Sequence, residues 1–333
     1  MKLLKTIGIG SAVAAMALLA ATGASFAQTR IAVVAKDIGN GFFVAAGKGA
    51  EEAAKELGDV EIIFTGPTEP TAEGQIEVIN TLVAQQVNAI VISANDPDAL
   101  VPALQKAKQR GITVVSFDSG VAAEGRDVQL DPSSIDLIGK TIVKLAADNL
   151  PDGKGKIAFL SGTATATNQN AWLAAAKEHY AEFPGVEVVS TVYGDDLFDK
   201  SYREAQGLIA SFPDLAAISA PTSVGIVAAA QAVTDAGLIG KINVTGLGLP
   251  SEMAAHVKSG ASKSFAIWNP IDLGYSATMI AYHLLKGEAK AEPGAEIAIG
   301  RVGKIVLDDN RSAAMSDPFT YDASNIDQFS SIF

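Results

Sequence analysis

The feature that most constrains this chain is a rhythm. From Arg30 onward, short β-branched apolar runs alternate with amphipathic segments, one unit per roughly 30 residues, which is the size of a βα repeat. Stretches 31–35, 60–65, 89–93 and 113–117 are continuous apolar runs without alternation, the pattern of parallel strands buried on both faces. Between them Ile76, Ile79, Leu82 and Val83 fall at helical spacing, as do Leu100, Leu104 and Ala107. The rhythm breaks over 120–131 and restarts with a helix at 133–150. Strands at 157–161, 186–192, 216–220, 243–246 and 265–268 follow. An eight-stranded barrel would keep its repeat unbroken. The interruption favours an α/β architecture of two doubly wound, Rossmann-like parallel-sheet lobes with a ligand cleft between them.

A helix at 271–286 and the segment 296–307 come after the second lobe is complete, so the chain is expected to return to the first lobe and cross back. That predicts three crossings, near 120–131, 262–268 and 299–310. The lobes become 28–122 plus 267–300 and 123–266 plus 301–333.

The first residues read as an address. Lys2 and Lys5 precede an apolar, small-residue run over 7–19, and Ser25-Phe26-Ala27 places small residues where a signal peptidase cuts. The run is short of the roughly 20 apolar residues that span a bilayer. A signal peptide over 1–27, cleaved after Ala27, and a periplasmic mature protein are the expectation. Outside the cytoplasm there is little ATP or NAD to draw on. The motifs agree, since Gly39-Asn40-Gly41 and Gly246-Leu247-Gly248 leave a dinucleotide fingerprint incomplete and Ser134 stands where a phosphate loop needs glycine.

Composition narrows the classes further. A net charge of −12 lacks the cationic face that nucleic acid requires. The chain has no cysteine, which removes disulfides, thiolate metal sites and thiol nucleophiles. His179, His256 and His283 form no metal-ligand spacing and read as structural. No cofactor and no metal are expected.

In open α/β sheets ligands bind beyond the carboxyl ends of the strands, and polar residues gather there. Lys36 and Asp37 follow the first strand, with Phe42 and Phe43 just behind. Asn95 and Asp96 follow the third strand and Asp118 the fourth. In the second half Asn168 and Gln169 follow one strand, Pro221, Thr222 and Ser223 another, and Trp268 and Asn269 end the last. With Trp172, this set offers a cation, carboxylates, amides, a hydroxyl and aromatic faces. Such a mixture suits a neutral polyhydroxylated ligand. Plainer roles compete: Asp96 and Asp118 as turn or helix caps, Asn168 as the cap of a helix over 169–183, Trp172 as core, Pro221 as turn chemistry. Glycoside hydrolysis would need two facing carboxylates. Asp96 and Asp118 fall on one lobe and the residue expected opposite is the neutral Asn168, so no enzymatic activity is expected.

Taken in order, 31–36 with Gly41-Phe42-Phe43, Gly66-Pro67-Thr68-Glu69-Pro70, 91–94 with Pro97-Asp98, Phe117-Asp118-Ser119, Asn168-Gln169-Asn170 with Trp172, 246–251 and Trp268-Asn269-Pro270 carry a resemblance. The chain resembles the periplasmic sugar-binding proteins of ABC transporters, in the ribose-binding-like class. Within it the chain is similar to the rhamnose-binding and autoinducer-2-binding branch. The resemblance implies hinge closure on a small sugar or polyol, rhamnose-like, and delivery to an inner-membrane permease. It also implies a monomer, with a chemoreceptor as a further partner. The ligand positions it implies are Lys36, Asp118, Asn168, Gln169, Pro221 and Ser223, and the strand-end reading adds Phe42, Trp172, Trp268 and Asn269 as candidate ligand residues. Autoinducer-2 reception is the alternative, but Asn168 stands where that pattern has aspartate and Ser223 where it has alanine. An amide both donates and accepts, whereas a carboxylate only accepts, which turns the expectation toward a sugar.

Overall fold

The computed structural model describes residues 28–333; the signal-peptide expectation for 1–27 lies outside the described residues. The chain opens with β1 (Thr29–Val34), α1 (Gly41–Leu57), β2 (Val60–Thr65), α2 (Ala72–Ala84), β3 (Ala89–Ile92), α3 (Val101–Gln109), β4 (Thr113–Phe117) and β5 (Val128–Asp131). It continues with α4 (Ile135–Ala147), β6 (Gly155–Ser161), α5 (Thr167–Glu178), β7 (Val186–Tyr193), α6 (Phe198–Ser211), β8 (Leu215–Ala220), α7 (Ser223–Asp235), β9 (Asn243–Gly246), α8 (Pro250–Ser259) and β10 (Ser264–Ile267). Then come α9 (Pro270–Lys286), β11 (Glu296–Ala298), β12 (Lys304–Val306), β13 (Ser312–Ala314), β14 (Phe319–Asp322) and α10 (Ile326–Phe329).

Two sheets carry the architecture. The first runs β13-β5-β4-β3-β1-β2, all parallel, and the second runs β7-β6-β8-β9, also parallel. A single bridge, Leu247 to Ala266, attaches β10 beside β9, and β14 pairs antiparallel with β10. Strand order reverses between β1 and β3 and again between β6 and β8. Each reversal opens a crevice at the carboxyl ends of the strands, where ligands bind in folds of this kind. The α/β reading with two doubly wound lobes therefore holds.

The expected crossings need correction. The stretch over 120–131, read as a break, carries β5 as a full member of the first sheet. The third crossing also lies later, because β13 pairs with β5 rather than joining the second lobe. The chain thus leaves the first sheet at 132–134, returns at 268–269 and leaves again at 315–318. Strands of three or four residues carry too little periodicity to be seen in sequence, and β13 has no apolar run at all.

Return of the chain is stabilised by close packing of α9 on α1. Both helices put small residues at the contact. A methyl at Gly49 would overlap the Ile271 carbonyl, and one at Gly274 would overlap the Ala46 carbonyl. Helix α1 is capped by the Asn40 side chain, which accepts from the Phe42 N–H, and ends at Gly58 with φ 80°.

Asp131 ends β5 at the first crossing. It accepts from Gln129 Nε2 at 2.9 Å, and burial pushes its carboxyl up to about 6 from 3.8. The sign follows from linkage. The folded state holds this proton more tightly than the unfolded chain, so ionised Asp131 opposes folding above pH 6 and the cost fades as pH falls towards 4. Asp131→Asn keeps the hydrogen bond and removes the charge. It should stabilise the protein by roughly 2–3 kcal/mol at pH 7.5 and by little at pH 4, since each pKa unit is worth about 1.4 kcal/mol. Denaturant midpoints at the two pH values check this; an equal gain at both would contradict it.

Candidate functional site

The carboxyl ends of the two sheets face each other across a narrow cleft with about 40 Å³ of free volume. From the first lobe come Lys36 after β1, Asn40, Phe42 and Phe43 at the start of α1, and Asp118 after β4. From the second come Asn168, Gln169 and Trp172 on α5, Asp196 after β7, Pro221, Thr222 and Ser223 at the start of α7, and Leu247 after β9. Ile267 and Trp268 line the cleft where the chain crosses.

Asn168 joins the lobes. Its Nδ2 donates to Asp118 Oδ1 at 2.8 Å, and its Oδ1 accepts from Lys36 Nζ at 3.4 Å and from the Gln169 N–H at 2.8 Å. Asp118 Oδ2 accepts from Ser93 Oγ at 2.8 Å. Further links close the cleft: Ser223 Oγ to Asn40 Oδ1 at 3.4 Å, Thr165 Oγ1 to the Asn95 carbonyl at 2.9 Å, and Thr167 Oγ1 to the Gly120 carbonyl at 2.9 Å.

The electrostatics are those of a dry site. Asp118 is 5% exposed and Lys36 is 3% exposed. Burial raises the Asp118 carboxyl above its ordinary range, while the Lys36 charge and the hydrogen bonds from Ser93 and Asn168 pull the other way. Asp118 also holds a left-handed backbone with φ 55°, uncommon for a residue with a side chain. Strain of this kind gathers at functional sites because surrounding contacts must hold it. Asp37, beside Lys36, is likewise raised by burial, partly offset by the Gly39 N–H.

Aromatic side chains form one wall. Trp172 and Trp268 stand 5.5 Å apart between ring centroids, Phe42 meets Trp268 edge-on at 6.2 Å, and Phe43 meets Phe42 edge-on at 5.2 Å. Among the described residues, the buried Trp268 indole N–H has no hydrogen-bond partner. A buried donor left unpaired is costly, so its position in the cleft points to an acceptor on a bound molecule.

Nine of the ten residues singled out from the sequence line this cleft. Asn269 does not. Its Oδ1 accepts from the Ile271 and Asp272 N–H groups and its amide donates to Asp272, so its polar groups are consumed in capping α9. Asp96 is a cap too, accepting from the Asp98 and Ala99 N–H groups. Asn95 holds the Lys36 carbonyl at 2.9 Å and so fixes the loop that presents Lys36. Asn168 is not the helix cap, because α5 begins at Thr167 after Ala166. Asp196 was missed, although the strand-end rule applied to β7 would have found it. Asn40, Phe43 and Thr222 fall inside stretches already noted, while Leu247 and Ile267 carry no chemical signal in sequence.

The model of the periplasmic binding protein domain family matches residues 31–289. A crystal structure of a sugar ABC transporter from Actinomyces odontolyticus is 40% identical, with 90% of this chain and 97% of that chain covered and a TM-score of 0.73. An ABC transporter solute-binding protein from Clostridium phytofermentas with bound L-rhamnose is 32% identical, with 92% and 99% covered and a TM-score of 0.87. The D-ribose/D-allose-binding protein of Pseudomonas aeruginosa is 28% identical over 66% of this chain and 70% of its own. These are binding proteins, not enzymes. A cleft of buried polar groups and aromatic faces between two parallel-sheet lobes, matched by a family model over most of its length, makes this chain a member of the periplasmic binding protein domain family.

Proposed function

We propose that this chain is the periplasmic solute-binding component of an ABC importer, taking a neutral deoxyhexose or polyol, L-rhamnose first, and delivering it to an inner-membrane permease. The observation that carries the reading is the chain of hydrogen bonds from Lys36 through Asn168 to Asp118, which spans the cleft beside the Trp172–Trp268 wall. The Clostridium phytofermentas neighbour holds L-rhamnose, and the chemistry here suits such a ligand. Carboxylate and amide take vicinal hydroxyls, while aromatic faces cover its C–H patches and methyl group. Lys36, Phe42, Asp118, Asn168, Gln169, Trp172, Pro221, Ser223 and Trp268 are the proposed contacts. The lobes turn about 132–134, 268–269 and 315–318, and ligand contacts on both sides supply the free-energy difference between open and closed forms.

Export would remove residues 1–27, and amino-terminal sequencing of the secreted protein should begin at Gln28. The proposed working unit is a monomer. A chemoreceptor is a second proposed partner, since closure creates a surface that either protein could recognise.

Ligand identity is decided by thermal melts of the mature protein with L-rhamnose, D-ribose, D-allose, xylitol and autoinducer-2. At about 100 times Kd a ligand adds roughly 2.7 kcal/mol, a clear upward shift. A shift with L-rhamnose supports the reading; a shift with autoinducer-2 alone would replace uptake of a sugar by reception of that signal. Asp118→Ala should weaken L-rhamnose binding at least a hundredfold by calorimetry with the fold retained, and unchanged affinity would remove Asp118 from the site.

Asn168→Asp tests the bridge. It sets a second carboxylate about a hydrogen-bond length from Asp118, and two carboxylates so close cannot both ionise. Affinity for L-rhamnose should then fall as pH rises from 5 to 8 in the variant, while the parent protein varies little. A flat profile in the variant would sink the argument.

A further inference from the structure

Asp196 lies in the turn after β7 and stands in the cleft opposite the first lobe. Its backbone is left-handed, with φ 53°. Oδ1 accepts from the Thr222 hydroxyl, and the side chain is half-buried at the cleft. Gly162 makes room for it, since a methyl there would lie 2.6 Å from both carboxylate oxygens. Its negative charge is felt at both Asp37 and Asp118. Lys36, meanwhile, has three N–H donors and one partner at 3.4 Å. The buried Trp268 indole N–H, in the same cleft, has none among the described residues.

The cleft therefore presents acceptors from opposite lobes, Asp118 and Asp196, and spare donors from Lys36 and Trp268. We propose that Asp196 is the second-lobe carboxylate of the ligand site, placed at 196 while position 168 is a neutral amide, and that it makes the cleft select an uncharged polyhydroxylated ligand over the corresponding sugar acid. A ligand hydroxyl can donate to either carboxylate and accept from either donor. A ligand carboxylate brings a third negative charge beside two fixed ones, with only Lys36 to offset it. The inference rests on the sugar-binding reading and deepens it.

The test is titration calorimetry of the mature protein, the Asp196→Asn variant and the Thr222→Val variant with L-rhamnose, D-ribose and D-allose, and with L-rhamnonate as the acid. Asp196→Asn should bind the accepted sugar ten- to a hundredfold more weakly, as expected when a charge-assisted hydrogen bond is lost. Its preference for sugar over acid should shrink at least tenfold. Thr222→Val keeps the carboxylate and removes its anchor, so it should lose affinity with the preference kept. A folded Asp196→Asn variant with the parent's affinity and preference overturns the inference alone. A parent protein that binds none of the three sugars overturns this inference and the sugar-binding reading together.

Discussion

Two opposite charges, Lys36 and Asp118, are buried in the mouth of one lobe and have to be satisfied without water. Leaving a charge buried and unpaired costs several kcal/mol, so such groups persist only within a hydrogen-bonded frame. Here the frame is completed from the other lobe. Ser93 holds one oxygen of Asp118 and Asn168 holds the other, while the same amide accepts from Lys36. A carboxylate at 168 could accept from Lys36 but would repel Asp118. The amide does both tasks because, unlike a carboxylate, it combines a donor with an acceptor.

That frame explains the conduct expected of the molecule. In the proposed closure, Lys36 and Asp118 would be hydrated with the lobes apart and would depend on Asn168 and on what a ligand supplies with the lobes together. A ligand with many hydroxyls restores the lost hydration on both sides at once, and the aromatic wall of Phe42, Trp172 and Trp268 removes its apolar face from water. The loops behind the site are tied by hydrogen bonds in the same way. Asn95 and Gln75 occupy the backbone carbonyls that flank Lys36, through bonds from Asn95 to Lys36 and from Gln75 to Ala35 and Ser93. Binding groups held this way lose little entropy when ligand arrives.

Much of this was legible in the residues. Continuous apolar strands every 30 residues or so leave few packings other than parallel sheets covered by helices, because every strand must bury both faces. The rule that ligands sit beyond strand ends then led to Lys36, Asp118, Asn168, Gln169, Pro221 and Ser223. It failed at Asn269, since an amide ahead of a Pro-started helix serves equally well as cap or as ligand contact. The periodicity reading failed at 120–131 and 312–314, where four and three residues become strands only because β5 adds to β4's open edge and β13 then adds to β5's. A short segment has no periodicity of its own, and its structure is imposed by its neighbour.

Local pattern alone determined the α/β class, the doubled lobe and the residue types gathered at the strand ends, because these depend on spacing along the chain and on hydrophobic burial. Tertiary structure decided what spacing does not encode. It placed Asn168 of one lobe between Lys36 and Asp118 of the other, turned Asp196 into the cleft and left the Trp268 indole unpaired beside it. Residues 50 and 132 positions apart meet only when both sheets and the crossings between them are in place, and hydrogen bonds depend on ångström distances that no sequence interval specifies.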